Sequence, residues 1–251
     1  MTENLRPVAL VTGCARRIGA AIVRTLHAAG YDIALHQRTP TAELAALAQE
    51  LESVRPQSTL ALTADLADVA ATTALPRAVL DRFGRIDALV NNASSFYPTP
   101  FGTIDAAQWD ELFAANARAP LFLSQASAPW LRERRGAILN LLDIHATRPP
   151  RNFAPYAMAK AALATMTKAL AVELAPEVRV NGIALGAILW AESAAGAAHE
   201  DEARKQRVLK RTPLGRLGAV DDVARAALFL LRDAPYTTGS ILRIDGGRSL
   251  V

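Results

Sequence analysis

The sequence predicts an α/β fold in a single domain over residues 1–251: a doubly wound, mostly seven-stranded parallel sheet with helices on both faces. Three observations predict it. Short runs that are apolar on both faces recur along the chain, longer helical patterns separate them, and no linker, repeat or low-complexity tract interrupts the alternation. Strands apolar on both faces and joined by helices belong to a parallel sheet covered on both sides, and right-handed crossovers wind it in both directions.

The elements follow in order. Val8–Thr12 reads as the first buried strand, with a helix from about Ile18 to Ala29. Asp32–His36 is the second strand and Thr41–Val54 the second helix. Leu60–Thr63 is the third strand, followed by a helix to about Arg82. Ala88–Asn91, Ala137–Leu142, Arg179–Leu185 and Ile241–Ile244 complete the set of strands. Long helical patterns precede the fifth strand, join it to the sixth and precede the seventh. The least regular stretch is 186–211, an insertion after a late strand and therefore a candidate substrate lid.

Composition narrows the classes. The chain is 51% hydrophobic and 21% charged, enough for one large core. Its 28 basic and 24 acidic residues are mixed along the chain, which argues against a nucleic-acid partner. The single cysteine, Cys14, excludes an internal disulfide and a cysteine-based metal site, and reads as a small packing residue. No metal site is expected elsewhere. The apolar runs are broken by charges or proline, so no membrane span is expected. The stretch Met1–Pro7 lacks the apolar core of a signal peptide, and a cytoplasmic protein is expected.

The turn after the first strand carries the first chemistry. Thr12-Gly13-Cys14-Ala15-Arg16-Arg17-Ile18-Gly19 follows a strand and opens a helix. Gly13 permits a tight turn, Gly19 lets the helix pack near the strand, and the free N–H groups of the helix start face a pyrophosphate. Arg16 and Arg17 lie where the anion would sit, and arginine binds phosphate through paired donors. These features predict a Rossmann-type dinucleotide site. At the end of the second strand, an acidic residue would bind a ribose 2′-hydroxyl and repel a 2′-phosphate. Here His36 and Arg38 stand instead, which favours NADPH. Asp65, followed by Leu66, is placed to accept from the adenine amino group or to cap the next helix. Asn92, Ala93 and Ser94 end the fourth strand beside the expected cofactor crevice.

Tyr156 and Lys160 are four residues apart, on one face of a helix. An ammonium beside a phenol favours phenolate, so Lys160 is expected to lower the Tyr156 pKa towards neutrality and suit it to proton transfer.

Together these motifs resemble the short-chain dehydrogenase/reductase family over nearly the whole chain, through Asp245-Gly246-Gly247. The resemblance implies that Tyr156 donates a proton, that Lys160 also holds the nicotinamide ribose, and that Asn116 joins a proton relay. The family places a serine about a dozen residues before the tyrosine. This chain has Asp143 there, and a carboxylate opposes a developing oxyanion but suits protonation of nitrogen. Asp143 also reads as a strand-end residue capping the loop that follows. The departure is similar to the pteridine reductase branch, as are Arg16-Arg17-Ile18-Gly19, the run Asn92–Pro100 and the tail from Tyr236 to Gly247. That branch implies Phe96 stacking on a flat pterin, Ser94 bonding the pterin or a cofactor phosphate, and Arg17 reaching both pyrophosphate and pterin. Where the family has Pro-Gly after the sixth strand, this chain has Leu185-Gly186, so a less rigid loop is expected where Gly186 would meet the nicotinamide carboxamide. Trp190 either walls the substrate pocket or anchors the lid. His145 reads as a loop histidine. The family resemblance implies a homotetramer, and an Ala-rich stretch over 157–175 suits close helix packing.

The function expected is NADPH-dependent reduction of a pterin, dihydropterin to tetrahydropterin, with oxidised pterins and dihydrofolate as further candidates. The alternatives are a reductase of another carbonyl or imine substrate, and a non-catalytic NADPH-binding sensor.

Overall fold

A computed structural model describes residues 6–188 and 198–251. Seven strands form one sheet: β1 (Val8–Val11), β2 (Asp32–Gln37), β3 (Thr59–Thr63), β4 (Ala88–Asn91), β5 (Ala137–Asp143), β6 (Arg179–Leu185) and β7 (Ile241–Ile244). Their order is β3-β2-β1-β4-β5-β6-β7, and every pairing is parallel. The order reverses between β1 and β4, and ligands of such sheets bind at that switch point beyond the carboxyl ends of the strands.

Among the described residues, eight α-helices cover the sheet: α1 (Arg17–Ala28), α2 (Ala42–Val54), α3 (Val69–Phe83), α4 (Ala106–Phe113), α5 (Ala119–Glu133), α6 (Ala154–Glu173), α7 (Ala198–Lys210) and α8 (Val220–Leu228). Leu35, Val90 and Leu139 of the sheet pack with Ile22 of α1, Leu47 of α2 and Val223 of α8 on one side. Leu10, Leu89 and Ile138 pack with Val79 of α3, Leu123 of α5 and Ala171 of α6 on the other. Strands β1 and β4 are buried throughout, which is why they read as unbroken apolar runs.

Local chemistry sets the helix ends. Thr41 caps α2 by accepting from Leu44 N–H at 3.2 Å, and Asp105 with Gln108 forms a reciprocal capping box on α4. Asp68 caps α3. Pro155 in the first turn of α6 suits a helix start, where no donor is needed. The lid predicted over 186–211 is in part helical, as α7; residues 189–197, Trp190 among them, lie outside the described residues. No described helix is long and apolar enough to cross a membrane.

Candidate active site

The carboxyl ends of β1, β2 and β4 open onto a cleft of about 660 Å³. The phosphate turn forms its floor. Gly13 adopts φ +61°, and a Cβ there would lie 2.8 Å from Ala93 Cα. A Cβ on Gly19 would lie 2.7 Å from Asn92 Nδ2, Cys14 Cα and Gly13 O. Side chains are thus excluded from both positions, which leaves the start of α1 bare to the cleft. Arg16, Arg17 and Ile18 line the same floor. Arg16 is exposed and lies 3.6 Å from Glu43. Cys14 is fully buried and its thiol is pushed up to about 12 by desolvation, so it packs rather than reacts.

The turn is held by a clamp in which Thr12 went unassigned in the sequence reading. Thr12 Oγ1 accepts from the N–H groups of Asn92 and Ala93, both at 3.0 Å. Asn92 Nδ2 donates to Thr12 O at 2.8 Å and to Gly13 O at 2.9 Å. The Asn92 side chain therefore shapes the phosphate turn. The signal for Thr12 was its position directly before Gly13, where a hydroxyl reaches the neighbouring strand end.

The other end of the cleft is lined by His36, Arg38, Asp65 and Leu66. Arg38 is exposed and carries the positive charge at the end of β2. His36 does so less than its sequence suggested. Its Nε2 lies 3.0 Å from Ala64 O, and burial lowers its pKa, so the imidazole is neutral near pH 7. Its carbonyl accepts from Cys14 N–H and helps build the wall. Asp65 faces the cleft while its Oδ1 accepts from Ala67 N–H at 2.9 Å; the cap of α3 is Asp68 instead. Gly186 packs against Asp245, which a Cβ would approach to 2.6 Å, and the residue does not line the cleft.

At the ends of β5 and α6, Tyr156 and Asp143 meet. Tyr156 Oη donates to Asp143 Oδ2 at 3.0 Å, and the other oxygen of the same carboxylate, Oδ1, accepts from His145 N–H at 2.8 Å and caps the loop. The ring Nδ1 of His145 lies 3.1 Å from Oδ1 but too oblique for a hydrogen bond. Lys160 is buried, and its Nζ donates to Leu141 O at 2.9 Å. Burial brings its pKa down to about 8, against the pull of Asp143.

The electrostatics correct one expectation. Tyr156 is not tuned towards neutrality. Burial is the largest influence on its hydroxyl, the Asp143 charge and hydrogen bond add to it, and all three raise the pKa. Lys160, held by the Leu141 carbonyl with its Nζ 5.8 Å from the Tyr156 ring centroid, does not offset them. The phenol is kept as a proton carrier rather than as a phenolate.

Asn116 lies in a π-helical turn, 114–118, between α4 and α5. Such turns widen a helix locally and are frequent at functional positions. Its amide is fully buried, with Nδ2 donating to Ser95 O and Leu112 O, both at 2.9 Å, so that Oδ1 faces Ser94 Oγ at 2.7 Å. Ser94 also lies close to the Tyr156 hydroxyl and lowers its pKa, against the three influences that raise it. A hydroxyl can rotate between two acceptors, so Ser94 joins Tyr156 to Asn116. A buried polar ladder, Asn91 to Asn140 at 2.8 Å and Asn140 to Thr167 at 2.9 Å, ties β4, β5 and α6 in register beneath these groups.

Phe96 stands over Tyr156 edge-on, with ring centroids 4.7 Å apart, and is half exposed. It also stacks on Phe153 at 4.7 Å and 14°, a residue the sequence reading missed. The signal was there in its spacing of three from Tyr156 at the start of the same helix. Phe96 and Phe153 extend a flat aromatic wall from the phenol outward.

A Rossmann-type sheet, a bare glycine turn at its switch point and a buried Tyr–Lys pair define a dinucleotide-dependent oxidoreductase. The chain belongs to the short-chain dehydrogenase/reductase family. A family profile described as enoyl-(acyl carrier protein) reductase matches residues 13–249. Pteridine reductase 1 of Leishmania tarentolae is 35% identical, over 99% of this chain and 98% of its own. L-xylulose reductase of Bos taurus is 37% identical, over 95% of each. A crystal structure from Sinorhizobium meliloti 1021, described provisionally as a short-chain alcohol dehydrogenase, superposes with a TM-score of 0.90 at 35% identity, over 96% of each chain. These findings support a pteridine reductase-like branch. Members of the family use NADH or NADPH.

Proposed function

We propose that the protein is an NADPH-dependent pterin reductase that converts dihydropterins to tetrahydropterins. The observation that carries this reading is the hydrogen bond from Tyr156 Oη to Asp143 Oδ2. A carboxylate at this place opposes a negatively charged oxygen on the substrate and favours a group that gains a proton on nitrogen.

The cleft suits the dinucleotide, since its floor excludes side chains at Gly13 and Gly19 and its polar end carries Arg38. Gly13, Arg16, Arg17, Ile18 and Gly19 would hold the pyrophosphate, Arg38 the 2′-phosphate, Asp65 and Leu66 the adenine, and Tyr156 with Lys160 the nicotinamide ribose. When bound, NADPH supplies the hydride; the protein supplies alignment and a proton. Phe96 takes one face of the pterin, with Ser94 and Arg17 at its edge. Asp143 orients the Tyr156 hydroxyl and keeps its proton in place until a ring nitrogen becomes basic. Tyr156 then gives up that proton, directly or through water, and solvent returns one through water ordered beside Ser94 and Asn116. Lys160 is charged below about pH 8, the form in which it would hold the nicotinamide ribose.

The test is NADPH oxidation with dihydrobiopterin, dihydromonapterin, dihydrofolate and oxidised pterins, set beside aldehydes, ketones and sugars. Turnover of pterins alone is expected. Turnover of carbonyl compounds with none of pterins overturns the proposal in favour of the carbonyl reading, which the similarity to L-xylulose reductase favours.

A further inference from the structure

One strongly charged feature of the surface has no part in the site described so far. Between the C-terminal half of α7 and the turn that follows β7 runs a groove of about 390 Å³, lined by Arg207, Val208, Lys210, Arg211 and Arg248. Four of these five are cations. Among the described residues, none of the four is in an ion pair with a carboxylate. Arg207, Lys210 and Arg211 are exposed, and Arg248 is partly buried. Like charges gathered at low separation repel, and Arg248 feels the positive charges of Arg211 and Arg148 against the negative charges of Asp143 and Asp245. A cluster of this kind is relieved by an anion.

The groove is coupled to the chemistry through Arg248. Arg248 lies in the field of Asp143 and acts on His145. Arg148 Nη1 donates to Arg248 O at 3.3 Å and also to Val251 O, which pins the C-terminal turn against the loop that follows β5. Arg248 thus belongs both to the groove and to the electrostatic surroundings of Asp143, the hydrogen-bond partner of Tyr156.

We propose that this groove is a subsite for the anionic tail of the substrate, a carboxylate or phosphate group carried on the side chain of the pterin. The inference rests on the pterin reading for the head group; the tail is a separate claim about Arg207, Lys210, Arg211 and Arg248. The subsite selects folate-like or phosphorylated pterins over those with a neutral side chain.

Three substrates test it with NADPH: dihydrofolate for a carboxylate tail, dihydroneopterin phosphate for a phosphate tail, and dihydrobiopterin for a neutral one. The readout is the ratio of kcat/KM for each charged substrate to that for dihydrobiopterin, in the wild type and in Lys210→Gln/Arg211→Gln. The ratio is expected to fall about tenfold, the sum of two exposed ion pairs, and to shrink as salt is raised. The two charged substrates show which tail fits. Arg225→Gln, which removes an exposed charge elsewhere, controls for long-range attraction and should leave the ratio unaltered. Binding of N-(4-aminobenzoyl)glutamate and inorganic tripolyphosphate, followed by calorimetry, probes the groove without a pterin. Pterin turnover with the same ratio in wild type and variant overturns the subsite and leaves the pterin reading standing. Tail compounds that bind the wild type but not the variant, with no pterin turned over, support the subsite and overturn the pterin reading. Tail compounds that bind neither protein overturn the subsite.

Discussion

Asp143→Asn isolates the carboxylate on which the proposed chemistry depends. The substitution keeps the shape and leaves an oxygen to accept from His145 N–H, the 2.8 Å bond that caps the loop, so the fold is expected to survive. What changes is the charge facing Tyr156 Oη across 3.0 Å. A hydrogen bond to a charged partner contributes about 1.5–3 kcal/mol, and an amide acceptor recovers less than half of that. The loss amounts to roughly tenfold to a hundredfold in kcat if the bond positions the proton in the transition state. The pH profile moves as well. Asp143 raises the pKa of both Tyr156 and Lys160, so both values fall in the variant, and the alkaline limb that Lys160 sets near pH 8 moves to lower pH. The assay is steady-state NADPH oxidation between pH 6 and 10, with a denaturant melt to confirm folding. An unaltered kcat together with an unaltered alkaline limb would show that the carboxylate takes no part in proton transfer and is only a loop cap.

Three further outcomes are expected. In Lys160→Met, the wild-type rise in stability between pH 8 and 10.5 should vanish. The pKa of Lys160 is depressed in the folded state, so over that window the unfolded chain binds one more proton and stability climbs with pH by about 1.4 kcal/mol per unit; below it both states are protonated and the slope is flat. Urea melts of both proteins across pH 7–11 read the difference, and identical slopes would place Lys160 at an ordinary pKa. Gly19→Ala drives a methyl group to 2.7 Å from Cys14 Cα and Gly13 O, backbone atoms that cannot step aside. It should cost about 1–3 kcal/mol, a fall of roughly 2–10 °C in Tm, and weaken NADPH binding in a fluorescence titration. Arg38→Asp should move the ratio of NADPH to NADH efficiency by about tenfold to a hundredfold towards NADH, because a charged contact to phosphate becomes a repulsion; an unmoved ratio would remove Arg38 from cofactor choice.

Strand and helix positions were largely legible in the chain because their causes are local. The unbroken apolar runs of β1 and β4 reflect burial on both faces, and the sequence boundaries agree with the observed ones at most strand ends and differ by a single residue at the rest, where fraying and register decide. The glycine turn and the spacing of Tyr156 and Lys160 were legible for the same reason: each is a short-range pattern read along one turn or one helix face. His36 and Phe153 were less so. Histidine beside arginine suggests charge until burial and the Ala64 carbonyl are seen to keep the ring neutral, and Phe153 acquires meaning only when Phe96 lies against it.

Residue order was enough to specify a dinucleotide-binding sheet, a phosphate turn and a tyrosine–lysine helix, since backbone sterics and helix periodicity act over a few residues. Tertiary packing alone settled how the tyrosine titrates, which hydroxyl connects it to Asn116, and that four cations gather beside the C-terminal turn. Desolvation depends on every group that covers an atom, and Asp143, Ser94, Tyr156 and Arg248 are brought together by sheet register across long stretches of chain. No pattern within a single segment carries that information.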